Sequence, residues 1–245
     1  MNSIIQSLFE RKSCRMFEDK EISYEDKRII LEAASQAPSA GNQQMYTILD
    51  IQDKELQNTL SKTCDNQPFI KNAKMVLVFC ADFQKWYDAF KYEGCNPRKP
   101  GVGDLLLATT DTAIAAQNAV VAAESLGIGS CYIGDILEQH DIHKELFHLP
   151  EYVVPVCMLV FGYPQKSQIN RIKPERCKLE DIVNVNQYTQ KNKIQLESMF
   201  SYKAGDKTYT EWIQAFCARK YNSDFSVEMT NSVQKYINQF KRDEN

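Results

Sequence analysis

Three cationic side chains crowd one short stretch near the N-terminus, ERKSCRMF, which runs from Glu10 to Phe17. Arg11, Lys12 and Arg15 lie within five residues of one another, beside the small hydroxyl side chain of Ser13. Because like charges repel at such distances, this cluster is unfavourable unless an anion or water lies between its members. The chemistry that the spacing indicates is the binding of an anion.

A second basic group occurs much later, in RIKPER, which supplies Arg171, Lys173 and Arg176 around Pro174. Two clusters so far apart in the chain could converge on one phosphate, where the planar fork of arginine makes two parallel hydrogen bonds. Charge alone favours a plainer interpretation, in which both clusters are solvated surface runs. Both interpretations stay open on this evidence.

A third polar stretch, APSAGNQQMY, leads from a predicted helix into a predicted strand. Its proline, serine, glycine and asparagine are ordinary turn residues. The side chains of Ser39, Asn42 and Gln44 also offer hydroxyl and amide groups to a planar polar heterocycle or its polyol. Small residues at this point would let backbone N–H groups approach a ligand closely.

Established catalytic motifs are missing from the chain. It contains no GxSxG, HExxH, Walker loop or GxGxxG sequence, and the GVG at 101–103 does not follow a strand. His140 and His143 share a helix face, as a metal pair would, but their charged neighbours predict an ordinary solvated face. We therefore predict no metal site. Either the protein is not an enzyme, or a bound group supplies its chemistry.

The elements that must position these residues alternate between helices and strands, which predicts a layered α/β or α+β domain. Ser23 caps a helix that Pro38 ends, and a long apolar helix is predicted between Asp104 as N-cap and Gly127 as the residue after the C-cap. Pro155 favours an edge strand or the first residues of a strand. The predicted strands are 45–51, 75–81, 130–134 and 153–163.

The overall composition is that of an ordinary globular protein. The chain has 245 residues, a formal net charge of −3 and no signal-like N-terminus, and we expect no apolar run long enough to span a bilayer. The eight cysteines are too dispersed for CxxC pairs and are interpreted as reduced, mostly buried thiols. We expect a cytoplasmic protein without nucleic-acid or membrane partners.

Taken in order, RxSxR, APSAGNQQ, AAESLGIGSCYIG and the late KPER resemble the nitroreductase family of FMN-dependent NAD(P)H oxidoreductases. The resemblance extends to about Tyr188 and is closest to the branch of oxygen-insensitive nitroreductases and NADPH-flavin oxidoreductases. It implies a single α+β domain over 1–245, a three-layer α/β/α sandwich with a mixed central sheet, a long buried central helix and a helical C-terminal excursion at 186–245. It also implies a homodimer with FMN at the dimer interface.

The resemblance further assigns residues to FMN. These are Arg11, Lys12, Ser13, Arg15, Ser39, Ala40, Gly41, Asn42, Gln67, Tyr132, Ile133, Gly134, Asp135, Lys173 and Arg176. The first basic cluster would hold the phosphate, ribityl chain and N1/O2 side of the flavin, and Lys173 and Arg176 would complete the phosphate site.

Other parts of the flavin would meet other segments of the chain. Residues 39–42 would come from the second subunit, Gln67 would reach the pyrimidine edge, and residues 132–134 would cover one flavin face, with the Gly134 N–H at N5. Asp135 stands where the branch commonly has a second glycine, and KPER is one residue longer than the usual KPR. Cys14, beside this site, is expected to pack rather than to take part in redox chemistry.

The implied reaction passes a hydride from NAD(P)H to flavin N5 and then to an aromatic or quinoid acceptor, such as a nitroaromatic, a quinone or free flavin, by ping-pong turnover. NADPH is favoured as reductant, with Arg219 and Lys220 as possible 2′-phosphate ligands or simply a surface turn. The alternatives are a dedicated NADPH-flavin reductase that supplies reduced flavin to a partner, a non-catalytic flavin-binding protein, or a plain α/β domain.

Overall fold

The computed structural model describes residues 1–241, and its helices and strands follow the sequence pattern closely. The helices are α1 Ser3–Glu10, α2 Tyr24–Ser35, α3 Lys54–Thr63, α4 Gln84–Tyr92, α5 Val102–Ser125, α6 His140–Leu146, α7 Lys166–Ile169, α8 Leu179–Ile182, α9 Lys193–Phe200, α10 Tyr209–Lys220 and α11 Asp224–Gln239. The strands are β1 Tyr46–Asp50, β2 Met75–Asp82, β3 Gly129–Ile133 and β4 Val153–Gly162. All four predicted strands are confirmed to within one or two residues.

The four strands form one sheet in the order β1-β2-β4-β3. Every neighbouring pair in it runs antiparallel. The α+β class is confirmed, but the expectation of a mixed sheet is wrong for the described strands. A strand has the same two-residue side-chain period in either direction, so its orientation cannot be read from its own residues.

Both faces of the sheet are covered, which confirms the three-layer architecture. Val76, Val78 and Cys80 of β2 point to one face and pack with residues of α3. Met75 and Leu77, which alternate with them, point to the other face and pack with α2 and α5. Because β2 is buried along its whole length, its sequence is a nearly continuous apolar run and does not alternate between apolar and polar residues.

Pro155 lies in a central strand, near its beginning, at an irregularity in the pairing. Phe79 pairs with Cys157 whereas the next residue, Cys80, pairs with Pro155, so one residue of β4 is left over as a bulge. The bulge accommodates a residue that has no N–H to give to the ladder. Of the two predicted positions, the first residues of the strand are correct and the sheet edge is not.

The long helix α5 begins three residues earlier than predicted, with Gly101 rather than Asp104 at the N-cap. Asp104 occupies the third helical position, and its Oδ2 accepts a hydrogen bond from the Gly101 N–H at 2.7 Å. Gly127 has φ of +72°, as expected of the residue that ends a helix.

By length and composition α5 would pass for a membrane-spanning helix, contrary to our expectation. Its buried residues nevertheless pack as a core helix, against α2 and the sheet. They are Leu105, Ala108, Asp111, Thr112, Ala115, Ala116, Ala119, Val120 and Ala123. These small side chains let the neighbouring helix approach closely on the buried side of α5.

Contacts within the chain divide it into two compact units. The first contains residues 1–171 together with the end of the chain from Glu228. In this unit Tyr236 and Phe240 pack on Tyr152 and Val154 in a third core cluster. The second unit, Ile172–Val227, contains α8 to α10 and an aromatic cluster in which the Trp212 and Phe216 rings stack with centroids 5.3 Å apart.

Candidate functional site

The first basic cluster is held against the first residues of β3 by the backbone. The Cys14 N–H donates to the Ser130 carbonyl at 2.8 Å, so the segment runs beside the strand. A Cβ atom on Gly129 would lie 2.8 Å from the Cys14 Cβ, which is closer than such atoms approach in proteins. Glycine at 129 is therefore what lets the basic segment lie on the strand.

Arg11 carries the clearest signal of a missing ligand. Its guanidinium lies 5.8 Å from the centroid of the Tyr132 ring, on β3. Its Nε and Nη2 atoms are buried, and neither has a hydrogen-bond partner among the described residues. A buried donor left unpaired costs roughly 1–3 kcal/mol, and more when it is charged. This arrangement is suited to an anionic or strongly polar acceptor.

Lys12 has a different role from Arg11. Its Nζ donates to the carbonyl of Ile169 at 2.7 Å and to that of Arg171 at 2.6 Å. Two of the three ammonium hydrogens thus tie the N-terminal segment to the chain after α7. For this reason Lys12 has at most one further donor to offer a ligand.

Arg171 was offered by RIKPER as a possible phosphate ligand, although the family resemblance did not assign it to FMN. Its Nη2 donates to the Ser13 carbonyl at 2.6 Å, and its Nε is buried without a partner among the described residues. The available signal was RIKPER, of which Arg171 is the first residue. Lys173 and Arg176, from the same motif, lie in the second unit, and their predicted place at the phosphate stays a prediction.

Arg15 lies nearer to the turn after α3. Its guanidinium is 5.8 Å from the centroid of the Phe69 ring, and its backbone N–H donates to Gln168 Oε1 at 3.1 Å. Burial raises the pKa of the nearby Cys131 thiol, although Arg15 and Ser13 act in the opposite direction. The exposed Arg15 thus holds a positive charge at the surface of this cluster.

Cys14 is buried, and burial raises the pKa of its thiol to about 11. A thiol with so high a pKa is almost entirely protonated at neutral pH and is a poor nucleophile. The structure therefore agrees with the expected packing role.

The residues at the end of β3 do not all face the same way. Tyr132 is half-buried, and its hydroxyl donates to Gln117 Oε1 at 3.2 Å. Ile133, in contrast, is 1% exposed, and its side chain lies in the core on the side of the sheet that α3 covers. Adjacent strand residues point to opposite faces. The Ile133 side chain therefore does not join Tyr132 on one ligand face, and only its backbone could take part. At Gly134 the space around an added Cβ is open.

Gln67 and Asp135, predicted separately, are in direct contact. The Gln67 amide nitrogen donates to Asp135 Oδ2 at 2.8 Å and to the Cys64 carbonyl at 3.0 Å. The turn after α3 is thus joined to the turn after β3. Arg11 and Ser13 thus lie beside Tyr132 and Cys131 of β3, and Arg15 lies beside Phe69, in the turn that Gln67 joins to Asp135.

The polar turn at 39–44 is anchored elsewhere, on α2 and α5. The Ser39 hydroxyl accepts from the Gln44 N–H at 3.0 Å, and the Ala40 N–H donates to Asp111 Oδ1 at 3.0 Å. Gly41 and Asn42 have φ of +57° and +55°, a conformation that glycine and asparagine tolerate best. These anchors leave the turn in a defined shape.

Asp111, which organises that turn, was also missed. It is only 2% exposed, and besides Ala40 it accepts a hydrogen bond from the Met45 N–H at 3.4 Å. Its signal was an acid in the middle of α5, directly before the apolar second half of that helix. An acid in such a place needs buried donors, and the turn provides them.

The histidines are not on a solvated face, so that interpretation is wrong. His140 is 7% exposed and its Nδ1 lies 2.8 Å from Asp141 Oδ1. His143 is fully buried between the Ile136 carbonyl and the Thr63 hydroxyl, at 3.0 and 2.9 Å. Each ring nitrogen has a protein partner, and among residues 1–241 no three side chains are arranged to hold a metal ion.

Comparison with known proteins gives a consistent result. A family model described as the nitroreductase family matches residues 8–163. An enzyme named FMN reductase (NAD(P)H) from Bacillus subtilis (strain 168) is 33% identical over 242 residues, covering 96% of this chain and 91% of its own. An oxygen-insensitive NADPH nitroreductase from Salmonella typhimurium is 34% identical, covering 77% and 75% of the two chains. The solved structure of NfrA2 from B. megaterium superposes with a TM-score of 0.82 at 30% identity and covers both chains completely.

Proposed function

Because this chain belongs to the nitroreductase family, we propose that it is an FMN-dependent oxidoreductase that takes a hydride from NAD(P)H and passes it to an aromatic or quinoid acceptor. The single observation that carries the proposal is that two buried guanidinium nitrogens of Arg11, Nε and Nη2, have no hydrogen-bond partner among the described residues. FMN has the anionic phosphate and the electron-rich carbonyl oxygens that such a donor requires. The residues present therefore fit this cofactor.

When bound, FMN would supply the hydride-accepting and hydride-donating atom, which no amino-acid side chain can provide. The chain's own contribution is binding and orientation. Arg11 and Arg171 offer N–H groups that have no partner among the described residues, and the Ser13 carbonyl accepts a hydrogen bond from Arg171. Gln67 offers its amide from the turn after α3. These groups would fix the position of the cofactor.

Arg15 would have an electrostatic role. It is an exposed cation close to the end of β3, next to Phe69. A fixed positive charge at the N1/O2 side of a flavin favours the reduced, more negative form. We assign this role to Arg15 and the orientation of N5 to the backbone N–H of Gly134.

The reductant is NAD(P)H, and we favour NADPH because the Salmonella relative is named for it. Arg219 and Lys220 lie in the last turn of α10, where the Arg219 guanidinium is 5.5 Å from the Phe216 ring centroid and the Lys220 ammonium 5.1 Å from that of Phe225. Both cations rest on aromatic rings of their own unit. A surface role remains our preferred interpretation for them.

A homodimer is part of the proposal. α1 has apolar residues but buries none of them, and Ile4 and Ile5 are 63% and 41% exposed. On α5, Leu106 and Leu107 are likewise 63% and 44% exposed. Such apolar surface suits a second copy of the chain, whose turn at 39–42 would complete each FMN site. We place this dimer in the cytoplasm, where the free cysteines would stay reduced.

A dedicated flavin reductase is the second candidate, because the Bacillus subtilis relative is named FMN reductase. The two candidates share the same first half-reaction and differ only in the acceptor. An open, apolar acceptor pocket discriminates weakly between substrates that it holds by stacking. Acceptor preference is therefore a matter for measurement.

The test is steady-state kinetics of the FMN-loaded protein, with NADPH varied at several fixed concentrations of a nitroaromatic, a quinone or free FMN. Parallel double-reciprocal lines are expected, because both substrates would use the same site in turn. The ratio of kcat/KM values would separate a nitroreductase from a flavin reductase. No NAD(P)H oxidation with any acceptor would refute the proposed function.

A further inference from the structure

Glu138 is a buried acid to which the proposed function assigns no role. It follows the short turn after β3, Asp135–Leu137, and it is 4% exposed. Its Oε1 atom has no hydrogen-bond partner among the described residues. Burying an ionised carboxylate without a donor is strongly unfavourable, so the surroundings favour the protonated acid.

The charged groups around Glu138 act in the same direction. Burial raises the pKa of Glu138 to about 7, and the negative charges of Asp135, Glu228 and Asp65 contribute to the rise. His143 also lies near the Glu138 backbone, but burial lowers the pKa of His143, so it supplies no compensating positive charge at neutral pH. Glu138 is therefore the acid of this cluster that has no counter-charge.

The hydrogen bonds show which acids keep their charge. Both carboxylate oxygens of Glu228 accept from the Gln139 N–H at 3.1 Å, and Oε1 also accepts from the Ser232 hydroxyl at 2.6 Å. Asp135 accepts from the Gln67 amide at 2.8 Å. Donors stabilise the ionised form of an acid. The Glu138 side chain also forms a hydrogen bond with the side chain of Asp135, which contributes to the raised pKa of Glu138. Two carboxyl groups can share a hydrogen bond only when one of them is protonated. Because Glu138 Oε1 has no donor among the described residues, the proton belongs to Glu138.

The orientation of the Gln67 amide follows from its two partners. Its nitrogen donates to Asp135 Oδ2 and to the Cys64 carbonyl, and both of these atoms are acceptors. Because an amide NH₂ has only two hydrogens, both are used inside the protein. The network also determines which end of the amide is nitrogen. Only the Gln67 carbonyl oxygen is left for a ligand.

We propose that protonated Glu138 donates its carboxyl hydrogen to Asp135, and that the Asp135 carboxylate so held makes Gln67 a hydrogen-bond acceptor for the ligand. This inference rests on the proposed function, because the ligand edge concerned is the pyrimidine edge of FMN. That edge has one donor, N3–H, between two carbonyl oxygens. Gln67 would therefore select N3–H, and Glu138 is a positioning residue that acts through Asp135.

The first test needs no flavin. Infrared difference spectra of the apoprotein, recorded between pH 5 and pH 9, should show the C=O band of a protonated carboxylic acid that disappears with a midpoint near neutrality. Glu138→Gln should abolish this band. Asp65→Asn, which removes one of the negative charges that raise the Glu138 pKa but leaves Glu138 in place, should keep the band with a lower midpoint. Absence of the band in the parent protein, or its persistence in Glu138→Gln, would overturn the inference.

The second test compares the affinity of the apoprotein for FMN and for 3-methyl-FMN, which lacks N3–H. The parent protein should bind the methylated compound about ten-fold more weakly, the value of one good hydrogen bond. Gln67→Leu should remove most of this difference. Asp135→Asn should also reduce it several-fold, because the introduced amide can donate as well as accept and so lets the Gln67 amide turn.

Asp65→Asn is the matched control for this second test and should discriminate like the parent protein. If FMN binds but Asp135→Asn discriminates as the parent does, the role of Asp135 is refuted while the proposed function stands. If the parent protein does not bind FMN at all, the proposed function itself fails, and the infrared result still decides whether Glu138 holds a proton.

Discussion

Arg11 shows how a single residue can indicate a ligand that no sequence motif names. Its basic neighbours made anion binding one of two interpretations, and charge alone favoured the plainer one. The structure separates the members of the cluster: Lys12 is engaged by backbone carbonyls, whereas Arg11 has buried donors without partners among the described residues. The difference lies in the environment of each side chain, which the sequence does not contain.

We predict that Arg11→Met weakens FMN binding by about ten-fold or more, because a hydrogen bond to a charged group contributes roughly 1.5–3 kcal/mol. The unfolding free energy of the apoprotein should not fall, since the variant removes unpaired buried donors. Fluorescence titration of apoprotein with FMN measures the first effect and urea denaturation the second.

Arg28→Met is the control for this prediction. Arg28 forms a surface ion pair with Glu32 on α2, at 2.9 Å, with the side chain 55% exposed. Its loss should leave FMN affinity unchanged, because exposed pairs of this kind contribute little. Equal affinities of Arg11→Met and the parent protein would show that Arg11 does not bind the cofactor.

Glu138 should make stability depend on pH in a defined direction. Its pKa is higher in the folded protein, about 7, than the ordinary value of 4.5, so the folded state binds the proton more tightly. The stabilising contribution is therefore complete at acidic pH and is lost as the pH rises through 7. Between pH 5 and pH 8 the parent protein should lose roughly 2 kcal/mol of unfolding free energy relative to Glu138→Gln. Urea denaturation at the two pH values measures this difference, and a constant difference would contradict it.

At the scale of elements, glycines in β3 and β4 leave room for the basic segment to pack against these two strands. Gly129 and Gly162 are directly paired in the ladder. A Cβ on Gly129 would meet Cys14, and one on Gly162 would come within 2.7 Å of the Phe17 ring. Two paired glycines thus make room for the segment that carries Arg11, Ser13 and Arg15.

We predict that Gly162→Ala lowers the unfolding free energy by roughly 1–3 kcal/mol, the usual cost of overpacking, because the ring of Phe17 must move. FMN affinity should fall with it, since the basic segment would be displaced. Thermal and urea denaturation, together with FMN titration, measure the two effects.

Gly103→Ala is the control for Gly162→Ala. Gly103 lies in the first turn of α5, and nothing would be within 4 Å of an added Cβ. Alanine there should be neutral or stabilise the protein by up to about 1 kcal/mol, because it favours the helix. If both substitutions had the same effect on stability, close packing at Gly162 would not be the cause of the loss.

The elements themselves were largely predictable from local pattern. The Ser23 cap, the Gly127 helix end and the four strands each follow from a few neighbouring residues, and all are present. The predictions that failed concern features that depend on residues far apart in the chain. Strand direction, the bulge at Pro155 and the burial of His143 arise from packing between elements, for which a single sequence has no periodic signal.

In the candidate site, too, local sequence predicted less than contacts between distant residues would have required. Ser13, Gln67 and Asp135 entered through the family resemblance rather than through any physical signal of their own. The structure joins Gln67 to Asp135 across 68 positions of the chain, and Ser13 to Arg171 across 158. Asp111 was missed because it acts on a turn 66 to 71 positions away in the chain. Glu138 was missed because only its burial distinguishes it from other acids. RIKPER had offered Arg171, but only the folded structure shows that it reaches Ser13.

At the scale of the whole molecule, the family relationship and the geometry of the first unit agree. The family model covers residues 8–163, which include Arg11, Gln67, Tyr132 and Asp135. The described part of the chain supplies donors that have no partner within it, an exposed cation and an amide with a defined orientation. The proposed chemistry belongs to a cofactor that accepts and returns a hydride. Binding without turnover would satisfy the same contacts, so the electron transfer itself must be observed.

The most direct measurement is the visible absorption spectrum of the FMN-loaded protein under anaerobic conditions. One equivalent of NADPH should bleach the flavin band, and one equivalent of a quinone added afterwards should restore it. A band that NADPH and NADH both leave unchanged, in protein that retains FMN, would mean that the protein binds flavin without using it as an electron carrier.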